Sequence, residues 1–221
     1  MARMKLGVLI SGRGSNLQSL LDACAEPDYP AQIALVISNR PDAKGLERAR
    51  EAGVDTLVVD HSEYDSRPAF EEALHAALAD AEVDLVCLAG FMRILDADFV
   101  AKWRNRIINI HPSLLPAYRG LRTHERAIED GVRFSGCTVH YVRPEMDDGP
   151  IILQAVVPVK LDDTPESLAK RVLAYEHRIY PEAVRLIATG QARVSGSRVT
   201  VKDLTAPEDG MISPIARPKA G

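Results

Sequence analysis

Five short apolar runs, KLGVLI, QIALVIS, DTLVVD, DLVCLAG and RIINI, fall within the first 110 residues, each bounded by Gly, Pro or polar residues. Runs this rich in β-branched residues, with no polar alternation, suit strands covered on both faces. The segments between them supply the covers. Leu17, Leu20, Leu21 and Cys24 form one stripe behind Ser15, the expected cap. A second helical segment runs from about Ala43 to a stop at Gly53, and a third from Ser66 to about Asp80 gathers Phe70, Leu74, Ala77 and Leu78 on one side. Alternating strand and helix predicts an α/β fold, a Rossmann-like, doubly wound, mostly parallel sheet, over roughly residues 1–110.

Beyond His111 the pattern changes. HPSLLPAYRGLRTHERAIEDG reads as a long loop leading into a short helix. SGCTVHYV and PIILQAVVPV, joined by RPEMDDG, predict an antiparallel pair that closes the sheet on its C-terminal side. A long helix follows, with Thr164 as cap, Pro165 at its first position, the stripe Leu168, Val172, Tyr175, Ile179, Ala183 and Leu186, and Gly190 as its stop. RVSGSRVTV predicts a small hairpin. Neither a repeat nor a linker interrupts the chain, so one domain is expected over 1–204, with a loose tail over 205–221.

With 46% hydrophobic and 26% charged residues over 221 positions, the chain can bury a sizeable interior without disulfides or metal. A net charge of -4 gives no electrostatic footprint for nucleic acid, which leaves small molecules as the expected partners. Arg3 and Lys5 precede an apolar run, Leu6–Ile10, too short for a signal peptide or membrane span, so a cytoplasmic protein is expected. Cys24, Cys87 and Cys137 form neither a disulfide framework nor a metal-binding pair, and read as small buried hydrophobes.

Three motifs carry chemistry. SGRGSNL, Ser11–Leu17, is a Gly-rich strand-to-helix turn whose backbone amides can approach an anion. Leu17 replaces the third Gly of the dinucleotide fingerprint and no Gly-Lys-Ser/Thr follows, so a single phosphate on a small substrate fits better than a dinucleotide or ATP. NIHPSLLP, Asn109–Pro116, ends the fifth strand, where ligands sit in open α/β sheets. Asn109 and His111 alternate and so point the same way, an amide donor beside an imidazole, suited to a carbonyl that becomes an oxyanion. MDDGP, Met146–Pro150, sets two carboxylates in a turn. One of them beside His111 would favour its charged form, whereas no ligand set for a metal surrounds them. GFMRIL, Gly90–Leu95, could line an apolar pocket, and Arg67 and Arg93 are candidate carboxylate clamps. His61, His75 and His140 carry no motif and read as structural or exposed; His124 opens the short helix with no assigned role.

Taken together, SGRGSNL, LAGFMRIL, NIHPSLLP, GCTVHYV, MDDGPIILQ and EHRIYP resemble, in order and spacing over about residues 5–190, the formyltransferase family, and within it the branch that acts on glycinamide ribonucleotide. The resemblance implies a phosphate-binding half over about 1–110 and a folate and catalytic part over about 90–190. It implies that Gly14, Ser15 and Asn16 hold the substrate phosphate and Glu176 its sugar. Met92, Arg93, Ile94 and Leu95, with Asn109, Tyr141, Val142, Arg143, Glu145, Met146 and Asp147, would form the site for the cosubstrate 10-formyltetrahydrofolate, and Arg67 and Arg93 would meet its glutamate tail. Asn109, His111 and Asp147 match the catalytic trio, Asp147 being chosen over Asp148 by alignment on the following Gly-Pro. Pro144 stands where relatives commonly carry an acidic residue. The implied activity is formyl transfer to the amine of 5-phosphoribosylglycinamide in purine biosynthesis, without a metal, nucleic acid or membrane partner; a homodimer is compatible but has no motif behind it. Rival readings are a formyltetrahydrofolate hydrolase, a methionyl-tRNA formyltransferase, and a non-catalytic sensor of a phosphorylated metabolite.

Overall fold

The computed structural model describes residues 2–203, 205 and 207–213. β1 (Met4–Ile10) lies inside a seven-stranded sheet, paired in parallel with β2 (Ala31–Ser38) on one side and β4 (Leu85–Leu88) on the other. β3 (Thr56–Val58) extends the β2 side and β5 (Ile107–His111) the β4 side, both parallel. β6 (Phe134–Tyr141) and β7 (Ile151–Pro158) then complete the sheet in antiparallel pairing, giving the order β3-β2-β1-β4-β5-β6-β7. Each of the seven apolar runs is a strand, and the change from parallel to antiparallel falls after β5.

The runs lack polar alternation because both faces of the sheet are covered. Leu6, Val8 and Ile10 of β1 belong to a core shared with α1 (Ser15–Ala25), α2 (Gly45–Glu51), α5 (Thr123–Glu129) and α6 (Pro165–Ala188). Leu9 belongs to a second core, on the opposite face, with α3 (Arg67–Asp80) and α4 (Ala97–Lys102). The two layers press closely: a Cβ at Gly7 would lie 2.4 Å from Leu78 Cδ2.

The helix ends follow local chemistry. Ser66 accepts a hydrogen bond from the Ala69 amide ahead of α3, and Thr164 with Ser167 forms a reciprocal capping box ahead of α6. Ser15 is not the cap of α1. Gly14 holds that position with φ 71°, and a Cβ there would lie 2.6 Å from the Cα of Gly45. The Gly45 amide donates to Gly12 O at 3.0 Å, so the Gly-rich turn is stitched to the start of α2 and only glycine fits at Gly14. α4 is a helix that the apolar pattern does not predict; it is six residues long, and Asp96 caps it by accepting from the Phe99 amide.

β8 (Ala192–Ser195) and β9 (Arg198–Val201) form the expected hairpin. The expected loose tail lies partly outside the described residues; 207–212 are exposed and form neither helix nor strand. Among the described residues no helix is long and apolar enough to cross a membrane. Cys24 is half-buried and Cys87 and Cys137 are buried, all three unpaired, and burial pushes the Cys24 thiol up to about 11.

Besides its apolar packing, α6 is hydrogen-bonded to the middle of the sheet by a buried side chain. Tyr180 is fully buried, and its hydroxyl donates to Leu88 O at 2.9 Å, at the carboxyl end of β4. Tyr180→Phe should therefore lower stability by about 1 kcal/mol, read as a drop of roughly 2–4 °C in the thermal midpoint. An unchanged midpoint would show that this bond does not hold the helix.

Candidate active site

β5 alternates cleanly. Ile108 and Ile110 enter the core beneath α6, which turns Asn109 and His111 to the other face, as their spacing predicts. Antiparallel pairing sets His140 opposite Asn109 and Thr138 opposite His111. Thr138 is fully buried; its hydroxyl donates to Ser113 O at 2.7 Å and accepts from the Leu115 amide at 3.1 Å, turning the chain after His111 back across β6. That turn brings Tyr118 O to 3.0 Å from His111 Nε2. A carbonyl only accepts, so Nε2 carries a proton and Nδ1 is the nitrogen left for chemistry.

His111 Nδ1 faces Asp147 Oδ2 at 3.5 Å. Asp147 reaches it because the turn after β6 is tight. Asp147 itself has φ 51°, in the left-handed region, and a Cβ at Gly149 would lie 1.6 Å from Tyr141 O. The Gly120 amide donates to Asp147 Oδ2 at 2.8 Å, while Asp148 turns outward into an exposed ion pair with Arg119. Of the two turn carboxylates, then, Asp147 is the one brought to His111.

His140, which no sequence motif marks, completes the cluster. Its Nε2 lies 3.3 Å from Asn109 Nδ2 and 3.9 Å from Asp147 Oδ1, and its Nδ1 lies 3.1 Å from Tyr141 O. Burial pushes its pKa below the ordinary histidine value and the nearby His111 adds to this, against the Tyr141 carbonyl and Asp147, which favour the proton. Only the register of β5 against β6 could have revealed it.

Two cavities meet at this cluster. The larger, about 720 Å³, runs from the segment Gly90–Ile94 past His111 to the start of α5. The smaller, about 140 Å³, lies between Leu88, Leu95, Val142 and Pro144. Asn109, Asp147, Met146, Arg93 and Ile94 line both, and Met92, Ile94 and Met146 leave an exposed apolar rim. Glu145 and Arg143 also line the smaller cavity, the Arg143 guanidinium donating to Val142 O and to Asn105 Oδ1 at 2.6 Å. The Tyr141 side chain points away, into the core beneath α6. Arg67 is exposed at the first turn of α3 and lines neither cavity. His124 lines the larger one, with its pKa lowered by burial.

The Gly-rich turn forms a second cluster on the same carboxyl edge of the sheet. Asn16 Nδ2 donates to Glu176 Oε2 at 2.7 Å; Glu176 is buried, and burial raises its carboxyl pKa against that hydrogen bond. Ser11 joins the two clusters, its hydroxyl donating to Asn39 Oδ1 and accepting from the Met92 amide at 2.8 Å. Among the described residues no group of His, Cys, Asp or Glu could hold a metal ion.

Comparison with known proteins places this fold and site. The formyl transferase family profile matches residues 4–184, and the chain belongs to that family. It is 46% identical over 191 residues to the phosphoribosylglycinamide formyltransferase of Escherichia coli (strain K12), covering 86% of this chain and 90% of that protein. It is 48% identical over 192 residues to the trifunctional purine biosynthetic protein adenosine-3 of Gallus gallus, spanning 87% of this chain but only 19% of that much longer protein. The crystal structure of glycinamide ribonucleotide transformylase 1 from Symbiobacterium toebii matches with a TM-score of 0.89 at 55% identity, covering 91% of this chain and 95% of that one.

One buried acid props the cavity wall. Glu71 is 3% exposed and its Oε1 accepts from the Asp96 amide at 3.0 Å, just beyond the Gly90–Leu95 segment; burial pushes its carboxyl up to about 7. The folded state thus keeps a proton that the unfolded chain, with a carboxyl near 4.5, gives up, and stability should fall as pH rises from about 4.5 to about 7. Glu71→Gln should remove that slope in unfolding curves taken across the window. An identical slope in the variant would contradict the assignment.

Proposed function

We propose that the chain is a single formyltransferase domain over 1–204, acting in the cytoplasm, that transfers the formyl group of 10-formyltetrahydrofolate to the amine of glycinamide ribonucleotide. The observation that carries this reading is the convergence of Asn109, His111 and Asp147 where the two cavities meet. The smaller cavity, with Leu88, Leu95 and Val142 around it, suits the flat heterocycle of the folate, and the larger cavity leaves room for the formyl group and the incoming amine. Arg93, which lines both cavities, is the candidate cation for the folate carboxylates, with Arg143 at the smaller cavity and Arg122 at the larger. The exposed Arg67 could meet only a tail that runs out over the surface. The turn Gly14–Asn16, opening α1 beside the buried Glu176, is the place for the substrate phosphate and sugar.

The neutral amine of the substrate attacks the formyl carbon, and a tetrahedral intermediate carries the former carbonyl oxygen as an anion. An Asn109 N–H and the Nδ1–H of a cationic His111 stabilise that oxygen. Asp147 is the anion that this imidazole faces, and it holds the ring in place. The new C–N bond persists, the bond from carbon to the folate N10 breaks, and the proton lost by the amine ends on N10, carried by His111 or by a water. An oriented amine needs no covalent enzyme intermediate.

Asn109→Ala or His111→Ala should lower turnover by about 100- to 1000-fold. Asp147→Asn should be far more damaging than Asp148→Asn, whose side chain pairs with the exposed Arg119; the reverse ranking would contradict the assignment. The reading as a whole is checked by following tetrahydrofolate release from 10-formyltetrahydrofolate with and without glycinamide ribonucleotide. Release that depends on the ribonucleotide is expected. Equal release without it would mean a hydrolase, and no release in either case would leave a binding protein.

A further inference from the structure

An oxyanion is served by the Asn109 carboxamide only when its nitrogen, and not its oxygen, is presented, and the shape of an amide does not decide which way it sits. The decision falls to its neighbour. Asn109 and His140 are partners across β5 and β6, with Asn109 Nδ2 3.3 Å from His140 Nε2. The other ring nitrogen, Nδ1, is 3.1 Å from Tyr141 O, which can only accept. In the neutral ring the single proton therefore sits on Nδ1, and Nε2 is a bare lone pair. A bare lone pair takes an N–H from Asn109 and repels its Oδ1.

We propose that His140 is a positioning residue for the transfer reaction: as a neutral Nδ1–H imidazole it fixes the Asn109 carboxamide with one N–H on His140 Nε2 and leaves the second N–H for the cavities that Asn109 lines. This inference rests on the formyl-transfer reading for its consequence, though not for its geometry. The titratable groups facing His140 are Asp147, with Oδ1 3.9 Å from Nε2, and His111 on β5; Ile151 stands opposite it on β7. A proton on Nε2 would turn toward Asp147 and confront the Asn109 NH2 donor to donor. The amide would then reverse, presenting its oxygen to the developing anion. Burial, with only 2% of the residue exposed, works against that proton.

The pair His140→Gln and His140→Asn separates positioning from packing. A Gln amide reaches the place of Nε2, whereas an Asn amide reaches only the place of Nδ1. His140→Gln should keep kcat within a few-fold of the wild type. His140→Asn should lose about 10- to 100-fold in kcat, part of what a missing oxyanion donor costs, with KM within about two-fold. Equal kcat for the two variants, whether both normal or both reduced, would overturn the proposal, since a packing role would not distinguish them. Imidazole 15N NMR of the wild-type protein supplies a readout that needs neither variant nor activity: a neutral Nδ1–H ring for His140 from pH 6 to 8 is expected, and an Nε2–H or doubly protonated ring would overturn the assignment. A wild-type protein with no ribonucleotide-dependent turnover would instead overturn the formyl-transfer reading, and the NMR result would still decide the tautomer.

Discussion

Asn109 lies across from His140, and His111 across from Thr138, because β6 runs antiparallel to β5 from the Ile108–Tyr141 pair to the His111–Thr138 pair. That register sets everything polar at the end of the fifth strand. A slip of one residue would reverse every side chain on β6, sending His140 and Thr138 into the core beneath α6 and bringing Val139 and Tyr141 to the site. The hydrophobic pattern forbids the slip: Val139 and Tyr141 are buried in that core with Ile108 and Ile110. Apolar packing on one face of the sheet thus specifies the polar cluster on the other.

The second constraint is backbone. Tyr118 O meets His111 Nε2, and the Gly120 amide meets Asp147 Oδ2, so one short stretch of the loop after β5 holds both groups by main-chain atoms. Main-chain partners decide donor and acceptor roles without ambiguity, which a side-chain hydroxyl could not do. The turn that carries Asp147 is set in the same way, by its left-handed conformation and by the absence of room for a side chain at Gly149.

Much of this is legible in the amino-acid order because it follows from periodicity. Seven apolar runs become seven strands, the Thr164–Pro165 start and the Gly190 stop bound α6, and the alternation of Asn109 and His111 puts them on one face. The resemblance to the formyltransferase family, through alignment on Gly149-Pro150, picks Asp147, the carboxylate that the fold turns inward. What stays hidden depends on long-range neighbours. Gly14 displaces Ser15 as cap because of Gly45, thirty-one positions on. α4 is too short for a periodic stripe, and its signal lies in Asp96 alone. Tyr141 sits beside cavity-lining residues in the chain yet points into the core by strand parity, and His140 joins the site only through a strand paired with it from elsewhere. The stripe along α6 likewise omits Glu176 and Tyr180, a buried carboxylate and a buried phenol on a face where only apolar residues are expected.

In the proposed reaction, the formyl group meets the amine at the junction of the two cavities, at Asn109, His111 and Asp147. A crystal structure with glycinamide ribonucleotide and an unreactive 10-formyl folate analogue bound together tests it most directly. The carbonyl oxygen of the analogue is expected within about 3 Å of both Asn109 Nδ2 and His111 Nδ1, and the substrate amine about 3–3.5 Å from the carbonyl carbon. A carbonyl oxygen bound elsewhere, or an Asn109 amide presenting its oxygen to it, would contradict the account.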